Sequence, residues 1–236
     1  MKTVLVTGSS GKLGAAISAR LLEQGFRVIG LTRSANPASL SSAGDFYDFE
    51  FDLNDLAGIP RAIKAITEDH GNLFGLVNNA AIGAESVLAT MHSKDISRAL
   101  ALNLQAPIEL TKHAIRGMLL GRQGRVVNIT SVVAQTGYKG LSVYAATKSG
   151  LEGFSKSLAR ETGKRGVTVN CIAPGFMPTA MTAGLGEDQM NQIKRRTPIG
   201  RLVSVEEVAA GVGFLLSDAG AAITGKTITI DGGASS

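Results

Sequence analysis

Tyr144 and Lys148 are spaced so that their side chains could share acid–base chemistry. Residues four apart lie on one face of an α-helix. Free tyrosine has a pKa of about 10 and is a slow acid at neutral pH, but a nearby ammonium group favours the phenolate and lowers that pKa. Among the three tyrosines, only Tyr144 is followed by a lysine four residues later. Such pairs are common on solvated helices, so only the surrounding residues can show whether this pair is catalytic.

Ser131 and Asn103 are the candidate partners of this pair. Ser131 follows the predicted strand Gly124–Ile129, at the carboxyl edge of the sheet, where open α/β folds bind their ligands. It would therefore face the same crevice as the start of the helix that carries Tyr144. Asn103 lies within a predicted helix. From its position alone it could be a catalytic residue or an ordinary polar residue on the surface.

A glycine-rich turn, TGSSGKLG, runs from Thr7 to Gly14 between the first predicted strand and the first predicted helix. Glycines let the backbone approach a pyrophosphate, and the helix N-terminus adds amide donors and a positive dipole end. The position of the turn after strand one of a βαβ unit favours dinucleotide binding over plain turn chemistry. A P-loop is excluded, because that motif needs a glycine at Val6 and a serine or threonine at Leu13.

The end of the second strand indicates which dinucleotide binds. An NAD enzyme usually has an acidic residue there for the ribose 2′-hydroxyl. Residues 31–34, Leu-Thr-Arg-Ser, contain no acid, so Arg33, with help from Lys12, could pair with the 2′-phosphate of NADPH. NADPH is therefore favoured over NADH, and an ordinary exposed loop arginine is the alternative. Asp52, which closes the third strand, could lie near the adenine edge or serve as a turn residue.

Short strands that alternate with longer helices would position these residues. Near-continuous apolar strands, each followed by a helix, predict a doubly wound parallel sheet covered on both faces. We expect one α/β domain over residues 1–236, a Rossmann fold of about seven strands. The predicted strands are Lys2–Thr7, Phe26–Leu31, Phe46–Phe51, Leu73–Asn78, Gly124–Ile129, Val167–Ile172 and Thr227–Ile230; the predicted helices are Lys12–Gln24, Leu56–His70, Ser93–Leu120, Val143–Lys164 and Val205–Leu216.

Two segments are predicted to lack regular structure. Asn36–Gly44, rich in Ser, Ala, Asn and Pro, is interpreted as a loop or a stunted helix. Met177–Gln192 is interpreted as a loop that covers the substrate.

The composition excludes several classes of protein. With 44% hydrophobic and 18% charged residues, disorder is not expected. The single cysteine, Cys171, excludes an intrachain disulfide, and three scattered histidines without ligand spacing indicate no metal site. Without a bilayer-length apolar run or a signal-peptide pattern, we expect a cytoplasmic protein with no membrane contact. The net charge of +5 fits a solvated surface or anionic ligands, and 5% aromatic residues argue against nucleic acid.

Five blocks of residues in one order make the chain resemble the short-chain dehydrogenase/reductase family from Lys2 to Gly233. The blocks are the TGSSGKLG turn, NNAA at Asn78–Ala81, Asn103, Ser131 with Tyr144 and Lys148, and PGF at Pro174–Phe176. The resemblance implies an NADP-dependent oxidoreductase that acts on carbonyl and alcohol groups.

The resemblance also implies a role for each catalytic candidate. Tyr144 would donate a proton to the carbonyl oxygen, and Ser131 would hydrogen-bond that oxygen. Lys148 would bind the nicotinamide ribose and lower the pKa of Tyr144, and Asn103 would hold a water that relays protons. The predicted cofactor contacts are Gly8, Ser10, Lys12, Leu13, Gly14, Arg33, Asp52, Leu53, Asn79, Ala80, Ala81, Tyr144, Lys148, Pro174, Gly175, Met177 and Thr179.

Two positions depart from the family pattern. Relatives usually carry glycine where Lys12 stands, often after a basic residue, which weakens the assignment of Lys12 to the 2′-phosphate. Ala81 replaces the last glycine of the Asn-Asn-Ala-Gly block, a small change expected only to tighten packing.

Within the family, the chain is most similar to bacterial 3-oxoacyl-[acyl-carrier-protein] reductases, through GFSKSLARE at 153–161, VNCIAPGF at 169–176 and ITG at 223–225. This similarity implies NADPH-dependent reduction of a carrier-bound 3-oxoacyl group to the 3-hydroxyacyl group, in fatty-acid or related acyl-chain synthesis. Arg122 and Arg165 fall at the places of two surface arginines that receive the acidic carrier protein. A homotetramer built from the helices Ser93–Leu120 and Val143–Lys164 is also implied.

Two alternatives stay open at this point. Many relatives reduce sugars, steroids or small ketones instead. A nucleotide-binding protein with vestigial redox activity is the alternative of another class, although the complete set Asn103, Ser131, Tyr144 and Lys148 favours an enzyme.

Overall fold

Seven parallel strands form one sheet in the computed structural model, which describes residues 1–33, 40, 44–179 and 186–236. Their order in space is β3-β2-β1-β4-β5-β6-β7. The strands are β1 Thr3–Thr7, β2 Arg27–Thr32, β3 Phe46–Glu50, β4 Gly75–Asn78, β5 Gly124–Ile129, β6 Val167–Pro174 and β7 Thr227–Ile230. The predicted Rossmann fold is confirmed. The strand order reverses between β1 and β4, so a ligand crevice is expected at their carboxyl ends.

The helices connect successive strands and lie on both faces of the sheet. They are α1 Lys12–Glu23, α2 Ile59–His70, α3 Ser93–Leu100, α4 Ala106–Gly121, α5 Val133–Thr136, α6 Ser142–Thr162, α7 Glu187–Arg196 and α8 Val205–Leu216. Within the described ranges, no helix is long and apolar enough to cross a bilayer.

Two apolar cores explain why the strands are almost continuously hydrophobic. In β1, Val4 and Val6 face the core beneath α1 and α8, whereas Leu5 faces the core beneath α2 and α4. All three side chains are fully buried. A strand that is covered on both faces has no position left for a solvated side chain, so polar residues gather at the strand ends.

The predicted helix Ser93–Leu120 is interrupted. A π-helical segment, Ala101–Gln105, separates α3 from α4. In a regular α-helix the carbonyl of Asn103 would accept from the N–H of residue 107, and that residue is a proline without an N–H. The π-helical turn, which is wider than an α-helical turn, lies where this hydrogen bond is missing. Such turns are frequent at functional sites.

Other predicted boundaries also need correction. Strand β4 begins at Gly75 and not at Leu73, α2 begins at Ile59 after a 3-10 turn, and α6 ends at Thr162 and not at Lys164. Strand β6 continues through Pro174, two residues beyond the predicted end at Ile172. Helix α7 occupies part of Met177–Gln192, which was predicted as loop. Of the segment Asn36–Gly44, only residues 40 and 44 lie within the described residues, so the prediction of a loop or stunted helix lies largely outside them.

Candidate active site

The glycine turn after β1 is closed too tightly for side chains at two positions. Gly8 has φ +66°, and its N–H donates to the carbonyl of Leu31 at 2.8 Å. A Cβ on Gly14 would lie 2.1 Å from the carbonyl oxygen of Gly8. Helix α1 therefore packs directly against the turn, and its first amides are available to an anion.

A threonine joins the turn to the end of β4. The Oγ1 of Thr7 accepts from the N–H groups of Asn79 and Ala80, each at 2.9 Å. The amide Nδ2 of Asn79 donates back to the carbonyl of Thr7, also at 2.9 Å. The two walls of the crevice between β1 and β4 are thus held together by side-chain hydrogen bonds.

Tyr144, Ser131 and Lys148 meet at the carboxyl end of β5. The Ser131 hydroxyl lies close enough to the Tyr144 hydroxyl to lower the pKa of the phenol. The ammonium of Lys148, on a side chain only 2% exposed, donates to the carbonyl of Ile129 at 2.8 Å. The same nitrogen lies 5.6 Å from the centre of the Tyr144 ring. A proton donor, a second hydroxyl and a cation therefore surround one point in the crevice.

Burial controls the protonation of both members of the pair. Burial raises the pKa of Tyr144 above its ordinary value, and the nearby hydroxyl of Ser131 opposes the shift. Burial also lowers the pKa of Lys148 to about 8, against the attraction of Cys171. The expected lowering of the tyrosine pKa is therefore not observed, because removal of the phenol from water dominates.

Asn103 acts on the backbone of the crevice wall. Its side chain is fully buried, and Oδ1 accepts from the N–H of Ile82 while Nδ2 donates to the carbonyl of Ile82, both at 2.9 Å. Ile82 lines the crevice, whereas Asn103 does not. The side chain of Asn103 therefore fixes the position of the segment after β4.

These features open onto one cleft of about 720 Å³, within the range of sites that enclose small ligands. All of the predicted cofactor contacts line it, as does Ser131. In chain order they are Gly8, Ser10, Lys12, Leu13, Gly14, Arg33, Asp52, Leu53, Asn79, Ala80, Ala81, Ser131, Tyr144, Lys148, Pro174, Gly175, Met177 and Thr179. Residues from the segments after six strands, β1 to β6, and from helix α6 are thus brought to one surface.

Arg33 and Asp52 mark one end of the cleft. Asp52 accepts hydrogen bonds from the backbone N–H and the side-chain amide of Asn54, at 2.9 and 2.7 Å. These bonds, and then the charge of Arg33, hold the pKa of Asp52 below its ordinary value despite partial desolvation. Asp52 is therefore both a turn residue and a neighbour of Arg33. The Ser10 and Thr32 hydroxyls, 2.7 Å apart, fix the adjacent wall.

Lys12 reaches across the cleft. Its ammonium donates to the carbonyl of Pro178 at 3.2 Å. Pro178 follows β6, which is four strands across the sheet from β2, the strand that ends beside Arg33. In this structure Lys12 is bonded to the segment beyond Gly175, and its assistance to Arg33 stays a prediction.

Comparison with known proteins agrees with this geometry. The family model described as enoyl-(acyl carrier protein) reductase matches residues 8–235. The 3-oxoacyl-[acyl-carrier-protein] reductase of Vibrio cholerae is 41% identical over 237 residues, covering 98% of this chain and 96% of the relative. The reductases of the same name from Escherichia coli and Pseudomonas aeruginosa are 40% and 39% identical, with the same coverage. The chain belongs to the short-chain dehydrogenase/reductase family.

The cleft of this short-chain dehydrogenase/reductase has an apolar end that was not predicted. Val133, Tyr138, Leu141 and Phe176 line it near Tyr144, and the rings of Tyr138 and Phe176 are 5.5 Å apart in an edge-on arrangement. No periodicity singles these residues out, and only Phe176 belongs to a motif, PGF at Pro174–Phe176. The one available signal was their position after β5 and β6, at the edge that binds ligands.

Arg122 and Arg165 lie at the opposite edge of the sheet. Arg122 precedes β5 and Arg165 precedes β6, whereas Ser131 follows β5. Six strand residues separate the two ends of β5, a length of about 20 Å. Arg122 donates to the carbonyl of Lys164 at 3.4 Å, so the two arginine segments are neighbours. The structure does not bring either arginine to the cleft of its own chain.

Proposed function

We propose that this short-chain dehydrogenase/reductase uses NADPH to reduce a 3-oxoacyl group, bound as a thioester to acyl-carrier protein, to the 3-hydroxyacyl group. The observation that carries the proposal is the meeting of Tyr144, Ser131 and Lys148 in the cleft that begins at the glycine turn. Reductases at about 40% identity over nearly the whole chain support the choice of substrate.

The glycine turn fits a dinucleotide. Neither Gly8 nor Gly14 has room for a side chain, so the turn stays tight and α1 packs closely against it. A turn of this kind lets the backbone approach a pyrophosphate. Gly8, Ser10 and Leu13 would hold the pyrophosphate at the start of α1, and Lys148 would hold the nicotinamide ribose. When bound, the nicotinamide supplies the hydride that the ketone carbon accepts.

Tyr144 would donate its proton to the ketone oxygen as negative charge develops there. Ser131 would hydrogen-bond the same oxygen and stabilise that charge. The raised pKa of Tyr144 keeps its phenol protonated at neutral pH, as a proton donor requires. The ammonium of Lys148, held by Ile129, would stabilise the phenolate that remains.

Proton return to Tyr144 would pass by the π-helical segment. Pro107 cannot donate to the carbonyl of Asn103, so this carbonyl has an acceptor position for a water. We propose that Asn103 holds the relay water through its backbone, because both polar atoms of its side chain are bonded to Ile82.

Arg33 supports NADPH as the cofactor. Its guanidinium lies at the cleft wall beside Asp52, and the end of β2 has no acid to accept from a ribose 2′-hydroxyl. A 2′-phosphate would supply the anion that an arginine binds well.

Other substrates are less suited to the apolar end of the cleft. Val133, Leu141 and the ring pair of Tyr138 and Phe176 fit an acyl chain better than a sugar. The enoyl-reductase description of the family model makes an enoyl thioester a second candidate, since its carbonyl oxygen could also accept from Tyr144. A vestigial nucleotide-binding protein would not need the complete hydroxyl, phenol and ammonium set.

We further propose a cytoplasmic homotetramer, built through α3 and α4 and through α6. In such an assembly, Arg122 and Arg165 could receive a carrier protein for the cleft of another copy, since they lie about 20 Å from their own. Light scattering tests the assembly: a mass of four chains supports it, and a monomer at working concentration contradicts it.

A substrate panel tests the proposed reaction. The protein is assayed with acetoacetyl and crotonyl thioesters, a small ketone, a sugar and a steroid ketone, each with NADPH and NADH. We expect the highest kcat/KM with acetoacetyl thioester and NADPH. A preference for the crotonyl thioester would assign enoyl reduction instead, and no turnover of any carbonyl would contradict the enzymatic proposal.

A further inference from the structure

One lysine side chain spans the cleft from the glycine turn to the opposite wall. Lys12 is the first residue of α1, and its ammonium donates to the carbonyl of Pro178 at 3.2 Å. Lys12 lines the cleft, and so do Met177 and Thr179, the two neighbours of Pro178. Helix α1 follows β1, whereas Pro178 follows β6, three strands away in the sheet. We call the hydrogen bond between Lys12 and Pro178 the clasp.

The position of this lysine is unfavourable for a cation. The N-terminal end of a helix is positive, because its first N–H groups are unpaired and its dipole points that way. The first turn of α1 holds no acidic residue, and Gly11 before it has no side chain to cap it. Among the described residues, no carboxylate forms an ion pair with Lys12. The helix end and the ammonium therefore add two positive charges that no anion of the described chain balances.

The side chains of the glycine turn do not supply the missing acceptor. The hydroxyl of Ser10 pairs with that of Thr32 at 2.7 Å. The hydroxyl of Ser9 is buried and has no hydrogen-bond partner in the described part of the chain. The N–H of Ala15 bonds the carbonyl four residues earlier, at 2.8 Å. The N–H groups of residues 12–14, which come before it, are therefore left for an anion.

Pro178 is a firm anchor for the other end of the clasp. The N–H of Thr179 donates to the carbonyl of Met177 at 2.9 Å, so Pro178 is at the centre of a tight turn. Met177 packs against the apolar core beneath α1 and α8. Earlier in the same segment, the N–H of Gly175 donates to the carbonyl of Ile230 at 2.9 Å. The carbonyl in the clasp is thus attached to the core and to the last strand.

We infer that the clasp closes over the pyrophosphate of a bound dinucleotide and slows its release. The ammonium of Lys12 has three N–H donors, so it can keep Pro178 as one acceptor and take a pyrophosphate oxygen as another. The pyrophosphate would lie at the N-terminus of α1, beside the residue that carries this ammonium. There the anion would balance both positive charges and accept a charged hydrogen bond. The inference rests on the dinucleotide binding of the proposed function.

The clasp differs from a contact with the 2′-phosphate. NADPH and NADH both carry the pyrophosphate, whereas only NADPH carries the 2′-phosphate, for which Arg33 is the proposed partner. The charge of Lys12 should therefore matter equally for both dinucleotides. Relatives usually carry glycine where Lys12 stands, so the clasp would be a feature of this chain and not of the family in general.

Cofactor release tests the inference without any substrate. Lys12→Met keeps most of the stem and removes the charge and the donors, whereas Lys12→Arg keeps both. Lys64→Met is the matched control, because Lys64 is exposed on α2 and does not line the cleft. Bound NADPH, and separately bound NADH, is displaced by excess NADP+ in a stopped-flow instrument. The fluorescence of the reduced nicotinamide then gives the dissociation rate constant of each variant.

We expect Lys12→Met to release both dinucleotides about tenfold faster than wild type, because a lost charged contact acts mainly on dissociation. Lys12→Arg and Lys64→Met should release them at nearly the rate of wild type. Unchanged release from Lys12→Met would overturn the inference. Faster release of NADPH alone would also overturn it, because Lys12 would then be a ligand of the 2′-phosphate.

A second variant tests the anchor at Pro178. Pro178→Gly removes the ring that fixes the backbone of the turn, so the carbonyl is no longer held toward Lys12. We expect faster release from this variant. Combined with Lys12→Met, it should release no faster than Lys12→Met alone, because both changes break the same contact. Additive effects would show that Lys12 acts without Pro178 and would overturn the clasp.

Binding and turnover separate this inference from the proposed function. If wild type binds both dinucleotides and reduces no ketone, the proposed reaction fails, while the release rates still decide the clasp. If wild type reduces ketones and Lys12→Met releases both dinucleotides as wild type does, only the clasp is wrong. If wild type binds neither dinucleotide, both are wrong.

Discussion

The ammonium nitrogen of Lys148 lies 5.6 Å from the centre of the Tyr144 ring and is held there by a 2.8 Å hydrogen bond to the carbonyl of Ile129. The last residue of a core strand therefore sets the position of the cation beneath the proton donor. Burial makes this ammonium acidic, with a pKa of about 8, while it keeps the Tyr144 phenol protonated. The two shifts predict a defined pH profile.

Ketone reduction should lose kcat/KM above a pKa near 8. The folded-state pKa of Lys148 is lowered, so its charge is present below pH 8 and lost as pH rises through that value. The raised pKa of Tyr144 adds no fall in this window. Because kcat/KM reports the free enzyme, initial rates with NADPH between pH 6 and 10 measure the effect.

Lys148→Arg is the control for that profile. A guanidinium stays charged throughout this range, so the fall near pH 8 should disappear even if the rate is lower. A fall that persists at the same pH in this variant would show that another group titrates.

Arg33→Ala should reduce the preference for NADPH. The 2′-phosphate would lose a charged partner, a contact worth about tenfold or more, whereas NADH binding should change little. Titration of both cofactors by fluorescence measures the ratio of the two Kd values. Lys12→Ala serves as the comparison, because Lys12 is bonded to Pro178 across the cleft. An unchanged ratio in Arg33→Ala would assign the preference to other residues.

Gly14→Ala should abolish dinucleotide binding. The added Cβ would lie 2.1 Å from the Gly8 carbonyl, so α1 and the turn must separate. Gly11→Ala is the matched control, since its Cβ would meet the same carbonyl at 3.4 Å, an ordinary contact. Isothermal calorimetry with NADPH compares the two variants. Equal affinities would mean that the close packing of the turn is not required.

Asn103→Leu should destabilise the chain by about 2 to 4 kcal/mol, because the N–H and carbonyl of Ile82 would both be left unpaired. Cofactor affinity should also fall, since Ile82 lines the cleft. Urea unfolding measures the first effect and NADPH titration the second. Exposed Asn191→Leu is the control, and a stability equal to that control would contradict the positioning role.

Most of the fold could be predicted because strands buried on both faces carry an almost continuous apolar signal. Val4, Leu5 and Val6 show this pattern, and the glycine turn marks the point where β1 gives way to α1. Helix α7 was missed for the opposite reason. Its sequence EDQMNQIKRR has only two apolar residues, too few to form the stripe by which a helix is recognised.

The candidate site was predictable where chemistry requires a residue type at a strand end. Ser131 and Asn79 are such positions, and both line the cleft. Contacts between loops that are far apart in the chain leave no pattern in the sequence. Neither the contact between Lys12 and Pro178 nor the distance of Arg122 from the cleft could therefore be predicted. The pKa of Tyr144 was predicted with the wrong direction because burial cannot be inferred from a Tyr-x-x-x-Lys spacing.

Single-turnover oxidation of NADPH by Tyr144→Phe tests the central claim most directly. The variant keeps the ring and removes only the proton donor, so acetoacetyl thioester should be reduced at least 100-fold more slowly than by wild type, with NADPH affinity within twofold. Stopped-flow absorbance of the reduced nicotinamide follows its oxidation directly. A rate for Tyr144→Phe within threefold of wild type would contradict the assignment of Tyr144 as the proton donor.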